Sequence, residues 1–532
     1  MNKYIVTFAP PTPNGDLHVG HLSGPYLAAD VYTRSRRLMG DDVLFVSYSD
    51  DYQSYLLKKS VETGSTPDAV CKKYYKKIVK SLESVNINTD SFISTINNQY
   101  FKDAVKLFYS SAVDNDMIDI GEFPVGYCSR CNVYGYESFG RAECNFCGSS
   151  SDLSQCENCA YPPDIEQVKE IKCSLCKNDM VMVKGHQEYI KIDQCYEYIT
   201  ELMAFNKTRK ALSEFVRKIT NSTIKKWPIS RDNEYGVDGI TMPENRRIHT
   251  WFSGIAGYYA SSLALDTNVG KNTAANYWKD KNTTIACFVG YDCAFSHAIV
   301  YPSLLKNIDM FTNKIKIFTN YFLKLNGEDF STSRGHAIWL SDIVKEVDPD
   351  FLRLYVAAYS PEEECDNFET LDLYRFLNVK IYPVLDSLIS GVKINNVGHV
   401  DSNSVDILVK DIVDRYKDKW LFAIGPSTFS MKNIALIIID VIKESNSDNN
   451  FNQNDLAFLL IFIAYISLPV MPVFSKKILL SFNVDEKELL NIFTNKNIDF
   501  KFIIDHKKLP KCTYIKKSYL DNICNITDSV LA

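Results

Sequence analysis

The sequence predicts an α/β fold in which a parallel sheet is split by a cysteine-rich insertion and followed by an all-helical bundle. Two stretches, one up to about residue 117 and one from about 227 to 345, alternate strand-like apolar runs with helix-like patterns. Between them, cysteine pairs and glycines break the chain into short segments. From about residue 350 the apolar spacing is helical. These observations together predict the fold class.

The first stretch begins with a strand-like run at residues 4–8, a helical pattern at 22–39 and a second buried run at 43–46. Thr66 is the expected cap of a further helix, because a proline follows it at the first helical position. This β-α-β order predicts that ligands bind at the carboxyl ends of the strands.

Two histidines lie between the first strand and the first helix. His18 and His21 flank Val19 and Gly20. The free N–H groups and positive dipole of a helix start favour phosphate, imidazoles can donate to phosphate oxygens, and a glycine lets a flat base approach the backbone. The pattern therefore predicts a triphosphate site, with two polar helix caps as the alternative.

The insertion carries four Cys-x-x-Cys pairs within 49 residues. Such a pair points two sulfurs into one tight turn, and two turns complete a tetrahedral site for a structural Zn²⁺. Redox thiols and core thiols are the alternatives. Spacing alone leaves open which pairs share an ion, but the short separation favours the two inner pairs around one ion and the two outer pairs around a second. The pairs are Cys128/Cys131, Cys144/Cys147, Cys156/Cys159 and Cys173/Cys176.

The remaining parts are predicted mainly from apolar spacing. A helical stretch at 188–226 leads out of the insertion. The tail at 501–517, with six lysines against one aspartate, is either an RNA contact or a solvated surface. Further predicted elements are strands at 284–289 and 315–319, helices at 381–388, 434–441 and 456–466, and a surface loop at 446–455.

Composition narrows the class of protein. The chain has 532 residues and a formal net charge of −6, which excludes a surface coated in basic residues and leaves RNA contacts to local patches. We find no uninterrupted run of 18 apolar residues and no signal-peptide pattern after Met1. Eight of the fifteen cysteines fall in the pairs, which favours metal in a reducing compartment over disulfides. We therefore expect a cytoplasmic protein without a membrane segment.

Residues 9–21, Ala-Pro-Pro-Thr-Pro-Asn-Gly-Asp-Leu-His-Val-Gly-His, resemble the signature of class I aminoacyl-tRNA synthetases, and their surroundings are similar to the methionyl branch. The cysteine insertion resembles the two-zinc insertion of many methionyl enzymes. The resemblance covers roughly residues 4 to 480. It implies a Rossmann-like catalytic domain and an enzyme that joins an amino acid to ATP as an adenylate and passes it to tRNA.

The resemblance also implies cofactors, partners and five segments. ATP, Mg²⁺ and two structural Zn²⁺ are the implied cofactors. The implied partners are tRNA and methionine or a related amino acid, and we expect a monomer. The segments are the first half of the catalytic domain (1–117), the connective insertion with the zinc knuckles (118–226), the second half with a signature loop (227–345), a linking stem-contact segment (346–385) and a helical anticodon-binding-like domain (386–532).

Site residues follow from the same resemblance, position by position. Asp51, after the second strand, offers a carboxylate to the α-ammonium of an amino acid. Trp227 and Arg231 match a Trp-x-Ile-Ser-Arg motif of that cavity, and Gly290 and Asp292 match a Gly-x-Asp motif that holds ribose. The implied catalytic residues are His18, His21, Ser331, Ser333 and Arg334. The implied ATP-binding residues are Pro11, Asn14, Gly20, Gly290 and Asp292. The implied amino-acid-binding residues are Pro10, Thr12, Asp51, Trp227, Arg231, Trp251, Tyr258, Ser296, His297 and Tyr301.

The chain departs from the family in two places. In the amino-acid pocket, Thr12 and Ser296 stand where aromatic residues are usual and Tyr301 replaces a tryptophan, which predicts a wider or more polar cavity. In the signature loop, Asp329 and Thr332 replace two lysines that stabilise pyrophosphate. Three hypotheses follow: a methionine–tRNA ligase, a paralogue that activates another amino acid for tRNA or a biosynthetic acceptor, and a catalytically weak RNA-binding relative.

Overall fold

The structure of the chain is a computed structural model, and within the described residues the fold is the predicted one. A parallel α/β sheet, a cysteine-rich insertion and a helical C-terminal region follow one another along the chain. The described residues are 1–153, 155–162, 168, 170–206, 208–231, 236–237, 246–269, 273–308, 314–330, 335–394, 399–401, 404–445, 451–485, 501–505, 507–516 and 518–519.

The first part of the chain supplies three strands of the central sheet. The predicted helix at 22–39 begins instead as a π-helical turn, in which Gly24 leaves the helical region and Pro25 lacks an N–H. Thr66 caps its helix as predicted, because its hydroxyl accepts from the N–H of Ala69 (3.3 Å). The elements are β1 (Lys3–Phe8), α1 (Val19–His21), the π-turn (Leu22–Tyr26), α2 (Leu27–Leu38), β2 (Asp42–Ser49), α3 (Ser54–Thr63), α4 (Pro67–Ser84), β3 (Ser91–Ser94) and α5 (Gln99–Asp114).

Two long antiparallel strands form the stem of the insertion. They pair in register from Ile118 with Ile190 to Tyr127 with Val181. The prediction of a helix over 188–226 is wrong at both ends, because those residues add to this sheet, where Tyr189, Ile190 and Trp227 are buried. The elements are β4 (Ile118–Cys128), β5 (Val133–Tyr134), β6 (Gly140–Glu143), β7 (Ser150–Asp152), β8 (Lys172–Cys173), β9 (Val181–Lys191), α6 (Tyr196–Asn206), α7 (Lys210–Thr220) and β10 (Lys226–Pro228).

The chain then returns to the central sheet. Two further strands, β13 (Thr283–Gly290) and β14 (Lys314–Asn320), complete this sheet. The strand order of the sheet is β14-β13-β1-β2-β3, and every pairing is parallel. One sheet is therefore built from two stretches of chain that the insertion separates. The elements are β11 (Ser230–Arg231), β12 (Arg247–Ile248), α8 (Thr250–Val269), α9 (Thr273–Lys279), β13 (Thr283–Gly290), a second π-turn (Ser296–Val300), α10 (Tyr301–Lys306), β14 (Lys314–Asn320), β15 (Leu323–Leu325) and β16 (Glu328–Asp329).

The last part is mainly helical. The three predicted helices are present, and the helix that covers 434–441 extends to Met431–Glu444. Trp420 is fully buried and donates its indole N–H to the carbonyl of Ile466 (2.9 Å), so it belongs to the core. The elements are α11 (Leu340–Ile343), α12 (Pro349–Ala358), β17 (Asp366–Phe368), α13 (Thr370–Tyr374), a third π-turn (Arg375–Ile381), α14 (Tyr382–Ile394), β18 (His399–Asp401), α15 (Ile407–Ala423), α16 (Met431–Glu444), α17 (Gln453–Ser467), α18 (Pro472–Ser481) and β19 (Lys501–Ile503).

Each face of the central sheet has its own core. On one face, side chains such as Phe8 and Phe45 belong to a cluster that continues into the helical bundle. On the other face, side chains such as Ile5 and Val46 pack with α5, α8 and the helices of the insertion. Among the described helices, none combines the length and apolar character needed to cross a membrane.

Candidate active site

Three of the segments that the sequence predicts to bind ligands lie at the carboxyl edge of the central sheet. The loop after β1 leads to His18 at the start of α1. Two backbone hydrogen bonds fix this loop, since Ala9 N donates to Phe288 O (2.8 Å) and Asp50 N donates to Pro11 O (3.0 Å). The residues that follow β1, β2 and β13 therefore lie at one edge, as a parallel topology requires.

The two histidines of this edge pack ring against ring. Their ring centroids are 3.7 Å apart, and the backbone N–H of His18 donates to Nδ1 of His21 (3.1 Å). Burial lowers the pKa of His21 to about 4 and holds the pKa of His18 well below its ordinary value. Both rings are therefore neutral at pH 7. Because Nδ1 of His21 accepts, its proton is on Nε2, which fixes this atom as a donor.

The ring of Phe330 covers the open face of Gly20. It stacks on the imidazole of His18, with centroids 4.7 Å apart and planes inclined by 11°. A Cβ atom added to Gly20 would lie 2.9 Å from Cδ2 of Phe330, so only glycine leaves room for this contact. The predicted loop residues that follow, Ser331, Thr332, Ser333 and Arg334, lie outside the described residues.

Asp292 lies above Gly290 in the turn after β13. A Cβ atom added to Gly290 would lie 2.3 Å from Oδ1 of Asp292, so this close approach requires glycine. Burial, and to a smaller extent the negative charge of Glu157 from the insertion, raise the pKa of Asp292 to about 6. Asp292 thus offers carboxylate oxygens, which can accept hydrogen bonds from hydroxyl groups, at the edge that also carries the histidines.

Four predicted residues form one buried group beside α8. Oη of Tyr258 lies 3.1 Å from Nε2 of His297, and Oγ of Ser296 lies 3.0 Å from its Nδ1. The ring of Tyr301 stands edge-on to His297 at 4.4 Å, and its Oη occupies the space beside Gly254. Burial lowers the pKa of His297 to about 3, so the ring is neutral. The group contains three buried hydroxyls and a buried imidazole.

The carboxylate of Asp51 is held by β3 and the residues after it. Its Oδ2 accepts from the hydroxyl of Ser94 (2.5 Å) and the backbone N–H of Ile96 (2.9 Å). Its Oδ1 is buried and has no hydrogen-bond partner among the described residues. The structure therefore does not bring Asp51 into the group around His297.

Asp50, which the sequence analysis missed, faces that group. Its two carboxylate oxygens accept from the hydroxyl of Thr250 and from Nε2 of Gln53 (2.6 Å for the latter). The negative charge of Asp50 adds to burial in raising the pKa values of Tyr48 and Tyr301. Burial raises the pKa of Asp50 to about 6. Among the described residues this buried carboxylate has two neutral donors and no ion-pair partner, and an ammonium group would supply the positive charge.

The other predicted site residues differ in their burial and in their contacts. Trp227 is buried, with its ring 5.7 Å from that of Phe295. Arg231 is buried too, but its guanidinium lies over the ring of Tyr136 (4.8 Å) in the insertion. The indole N–H of Trp251 has no partner among the described residues. In the loop after β1, Pro11 is buried, and the half-buried residues are Pro10, Thr12 and Asn14.

The eight paired cysteines form two groups of four. Within each group one sulfur per residue lies within 4.8 Å of all the others, and the closest sulfurs are 3.6 to 3.7 Å apart. A tetrahedral zinc ion with bonds of about 2.3 Å separates its sulfurs by about 3.8 Å. Both groups therefore fit a metal ion, and their composition is the one that the short separation favours. The groups are Cys144, Cys147, Cys156 and Cys159, and Cys128, Cys131, Cys173 and Cys176.

Comparison with known proteins gives one consistent family. The model of the tRNA synthetases class I (M) matches residues 4–392. A methionine–tRNA ligase of Thermoplasma volcanium is 29% identical over 71% of this chain and 70% of its own length. One of Methanobrevibacter smithii is 26% identical over 73% of this chain and 58% of its own length.

A solved structure agrees with the fold. The methionyl-tRNA synthetase of Mycobacterium tuberculosis bound by methionyl-adenylate superposes with a TM-score of 0.75 at 15% identity, over 96% of this chain and 100% of that chain. The family match covers well over half of the sequence and includes the histidine edge, the insertion and β13. This chain belongs to the tRNA synthetases class I (M).

Proposed function

We propose that this chain is an amino acid–tRNA ligase that activates methionine with ATP and transfers it to tRNA. The observation that carries the proposal is the neutral histidine pair at the sheet edge, within a chain whose family match spans residues 4–392. Its relatives in Thermoplasma volcanium and Methanobrevibacter smithii are methionine–tRNA ligases.

The reaction needs alignment more than acid–base chemistry. An oxygen of the amino acid's carboxylate attacks the α-phosphorus of ATP in line, a new P–O bond forms, and the bond to pyrophosphate breaks. Nε2–H of His21 donates to the oxygens on which charge develops, and its neutral ring keeps this donor in place. Bound Mg²⁺ would neutralise charge on the phosphates. In the second step the 3′-terminal hydroxyl of tRNA attacks the carbonyl carbon and AMP leaves.

Asp50 is the residue that we assign to the α-ammonium of the amino acid, in place of Asp51. Support comes from its burial at the start of α8 and from its two neutral donors, Thr250 and Gln53, which hold the carboxylate without neutralising its charge. In the same proposal the group around His297, which includes Tyr258, contacts the amino acid's side chain.

We assign the two cysteine groups to two structural Zn²⁺ ions. Four thiolates close the coordination sphere and leave no position for a catalytic water. The insertion supplies only a small apolar cluster of its own, so metal binding would stabilise it. The monomeric state, the cytoplasmic location and the tRNA contacts of the helical part belong to the proposal as well.

ATP–pyrophosphate exchange with a panel of amino acids tests the proposed activity. We expect exchange that depends on methionine and exceeds the exchange with every other amino acid by at least about 100-fold, within the range that pocket contacts provide. Tenfold or better preference for another amino acid would refute methionine while keeping the enzyme class. Absence of exchange with any amino acid, in zinc-loaded protein, would refute the enzyme.

One observation favours a second candidate, a paralogue for another amino acid. The buried group around His297 contains the hydroxyls of Tyr258, Ser296 and Tyr301, whereas methionine has an apolar side chain. A buried hydroxyl favours a substrate group that can pair with it, and such pairing discriminates more strongly than apolar fit. The same panel separates the two candidates if it includes amino acids with polar side chains.

Substitutions in the signature loop test whether its lost lysines make adenylate formation slow. Asp329 is exposed in β16, opposite Lys324 of β15, and Thr332 stands where the family has a lysine. One added cation that meets pyrophosphate only in the transition state should raise kcat for Thr332→Lys with little change in KM. If Arg334 already supplies this charge, Arg334→Ala is severe and Thr332→Lys nearly silent. Exchange that ignores both changes would favour a weakly catalytic RNA-binding relative.

A further inference from the structure

A second buried polar cluster lies behind the amino-acid pocket. It forms where residues 136–138 of the insertion, which we name the insertion tip, meet the second half of the catalytic domain. Glu137 is only 3% exposed, and its Oε1 lies 3.8 Å from the guanidinium of Arg231 and against Nε2 of His249. Its φ of +45° is a left-handed value that a residue with a Cβ atom keeps only where its surroundings enforce it.

His249 connects Glu137 to the start of α8. The backbone N–H of Trp251 donates to Nδ1 of His249 (3.0 Å), so the imidazole satisfies one of the free donors of the first turn. Burial holds the pKa of His249 well below its ordinary value, so the ring is neutral. Since Nδ1 accepts, Nε2 carries the proton, and this nitrogen lies directly against Oε1 of Glu137. The carboxylate of Glu137 thereby fixes the ring that holds the first turn of α8.

The insertion tip also contacts the start of α3. The backbone N–H of Ser138 donates to Oγ of Ser54 (3.2 Å), the first residue of α3. Gln53, just before it, donates to one oxygen of Asp50, while Thr250, the first residue of α8, donates to the other. The tip therefore contacts both helix starts that hold the carboxylate of Asp50.

We propose that Glu137 is a positioning residue for the amino-acid site, which acts through His249 on the start of α8. The inference rests on the proposed function of the Asp50 pocket. Glu137 touches no substrate. It keeps Thr250 and Trp251 in place, and with them one of the two donors of Asp50, so its loss weakens amino-acid binding and leaves ATP binding intact.

Three variants of the full-length protein test this role. Glu137→Ala removes the contact, Glu137→Gln keeps an acceptor for His249, and Glu122→Gln changes an exposed glutamate of the same insertion that pairs with Lys184. We expect Glu137→Ala to raise KM for the amino acid by about tenfold, with KM for ATP within about twofold. Glu137→Gln should restore most of the affinity, and Glu122→Gln should match the wild type.

Hydrogen–deuterium exchange supplies a readout that does not depend on activity. In Glu137→Ala the amides of residues 250–254 should exchange faster, and in Glu122→Gln they should not. Unchanged exchange, or faster exchange with an unchanged amino-acid KM, would overturn the proposal, and so would an equal rise in both KM values. If Glu137→Ala does not fold, Glu137→Gln against Glu137→Asp repeats the comparison. If wild type activates no amino acid, the proposed function fails, and the role of Glu137 is decided by the amide exchange alone.

Discussion

At the scale of single residues, the N–H of His18 decides which nitrogen of His21 carries a proton. His21→Ala removes a fixed Nε2–H donor from the site where pyrophosphate would develop charge. We expect ATP–pyrophosphate exchange to fall by about 100-fold or more. The matched control is His186→Ala, an exposed histidine on β9 that should leave the rate unchanged. An exchange rate within threefold of wild type for His21→Ala would contradict the assigned role.

Asp50 predicts a pH dependence for amino-acid binding. Its pKa is raised to about 6, so the carboxyl is neutral below that pH and cannot pair with an ammonium. KM for the amino acid should therefore be flat above about pH 7 and rise as the pH falls through 6. Asp50→Asn should raise KM by about 100-fold at pH 8 and remove this dependence. Asp51→Asn is the comparison. If it raises KM for the amino acid more than Asp50→Asn does, Asp51 and not Asp50 binds the ammonium group.

The sequence predicts a carboxylate at the end of β2, but the residue that it assigns, Asp51, is one position from Asp50. The motif predicts a carboxylate after β2, and one is present. Alternation along the strand carried a further signal: Leu44, Val46 and Tyr48 all face the core of α8, and period two continues to Asp50. The role of Glu137 left no such signal, because its partners come from distant segments of the chain that only the folded structure brings together.

At the scale of elements, a chain of aromatic contacts connects the inner cysteine group to the turn that carries Asp292. Ring centroids lie 4.4 Å apart between Phe146 and Tyr161, 5.4 Å between Tyr161 and Phe215, and 6.1 Å between Phe215 and Tyr291, the residue before Asp292. The insertion therefore packs against the turn that carries Asp292.

Cys144→Ser tests the metal assignment at this scale. One ligand of the inner group is lost, so we expect the metal content to fall from about two ions per chain to about one, with a looser insertion and retained ATP binding. Metal analysis and ATP binding by calorimetry measure both. Cys71→Ser, which changes a buried cysteine outside both groups, should keep two ions. Zinc-free wild-type protein with fully reactive thiols would refute the assignment.

Elements with strong local signals were predictable, and others were not. The strands at 284–289 and 315–319 appear as β13 and β14, each longer by one residue at either end, because continuous apolar runs are typical of buried parallel strands. The prediction of a helix at the end of β9 is wrong because pairing with β4 and β10 overrides the local preference of these residues. None of the three π-turns was predicted, since apolar spacing does not distinguish them from α-helix.

At the scale of the whole molecule, one buried arginine connects the sheet to the helical bundle. Arg353, fully buried on α12, donates to Asp30 of α2 (2.6 Å), to the carbonyl of Val85 (2.9 Å), and to the carbonyls of Pro469 (3.0 Å) and Val470 (2.6 Å). These partners belong to the catalytic half and to the loop before α18. The bundle is therefore fixed to the sheet by polar contacts as well as by a shared core.

Arg353→Met should lower the free energy of unfolding by about 3 kcal/mol, because among the described residues it leaves the buried Asp30 with the partly exposed Arg34 as its one ion-pair partner. Urea titration measures this. Arg415→Met, which breaks an exposed pair with Glu444, should cost less than about 1 kcal/mol. Equal effects of the two changes would show that Arg353 is not a structural connection.

The π-turn at Leu22–Tyr26 affects how this chain is aligned with others. A π-turn closes its hydrogen bonds over five residues, so it holds one residue more than an α-helical turn of similar length. Asp30, four residues after the turn, accepts a hydrogen bond from Arg353. We expect the extra residue to shift the sequence position of every later residue by one, relative to a chain with a continuous α-helix. A relative with an uninterrupted α-helix would align only with a one-residue gap between His21 and Asp30. Positions such as Asp50 are therefore best matched by counting from β2.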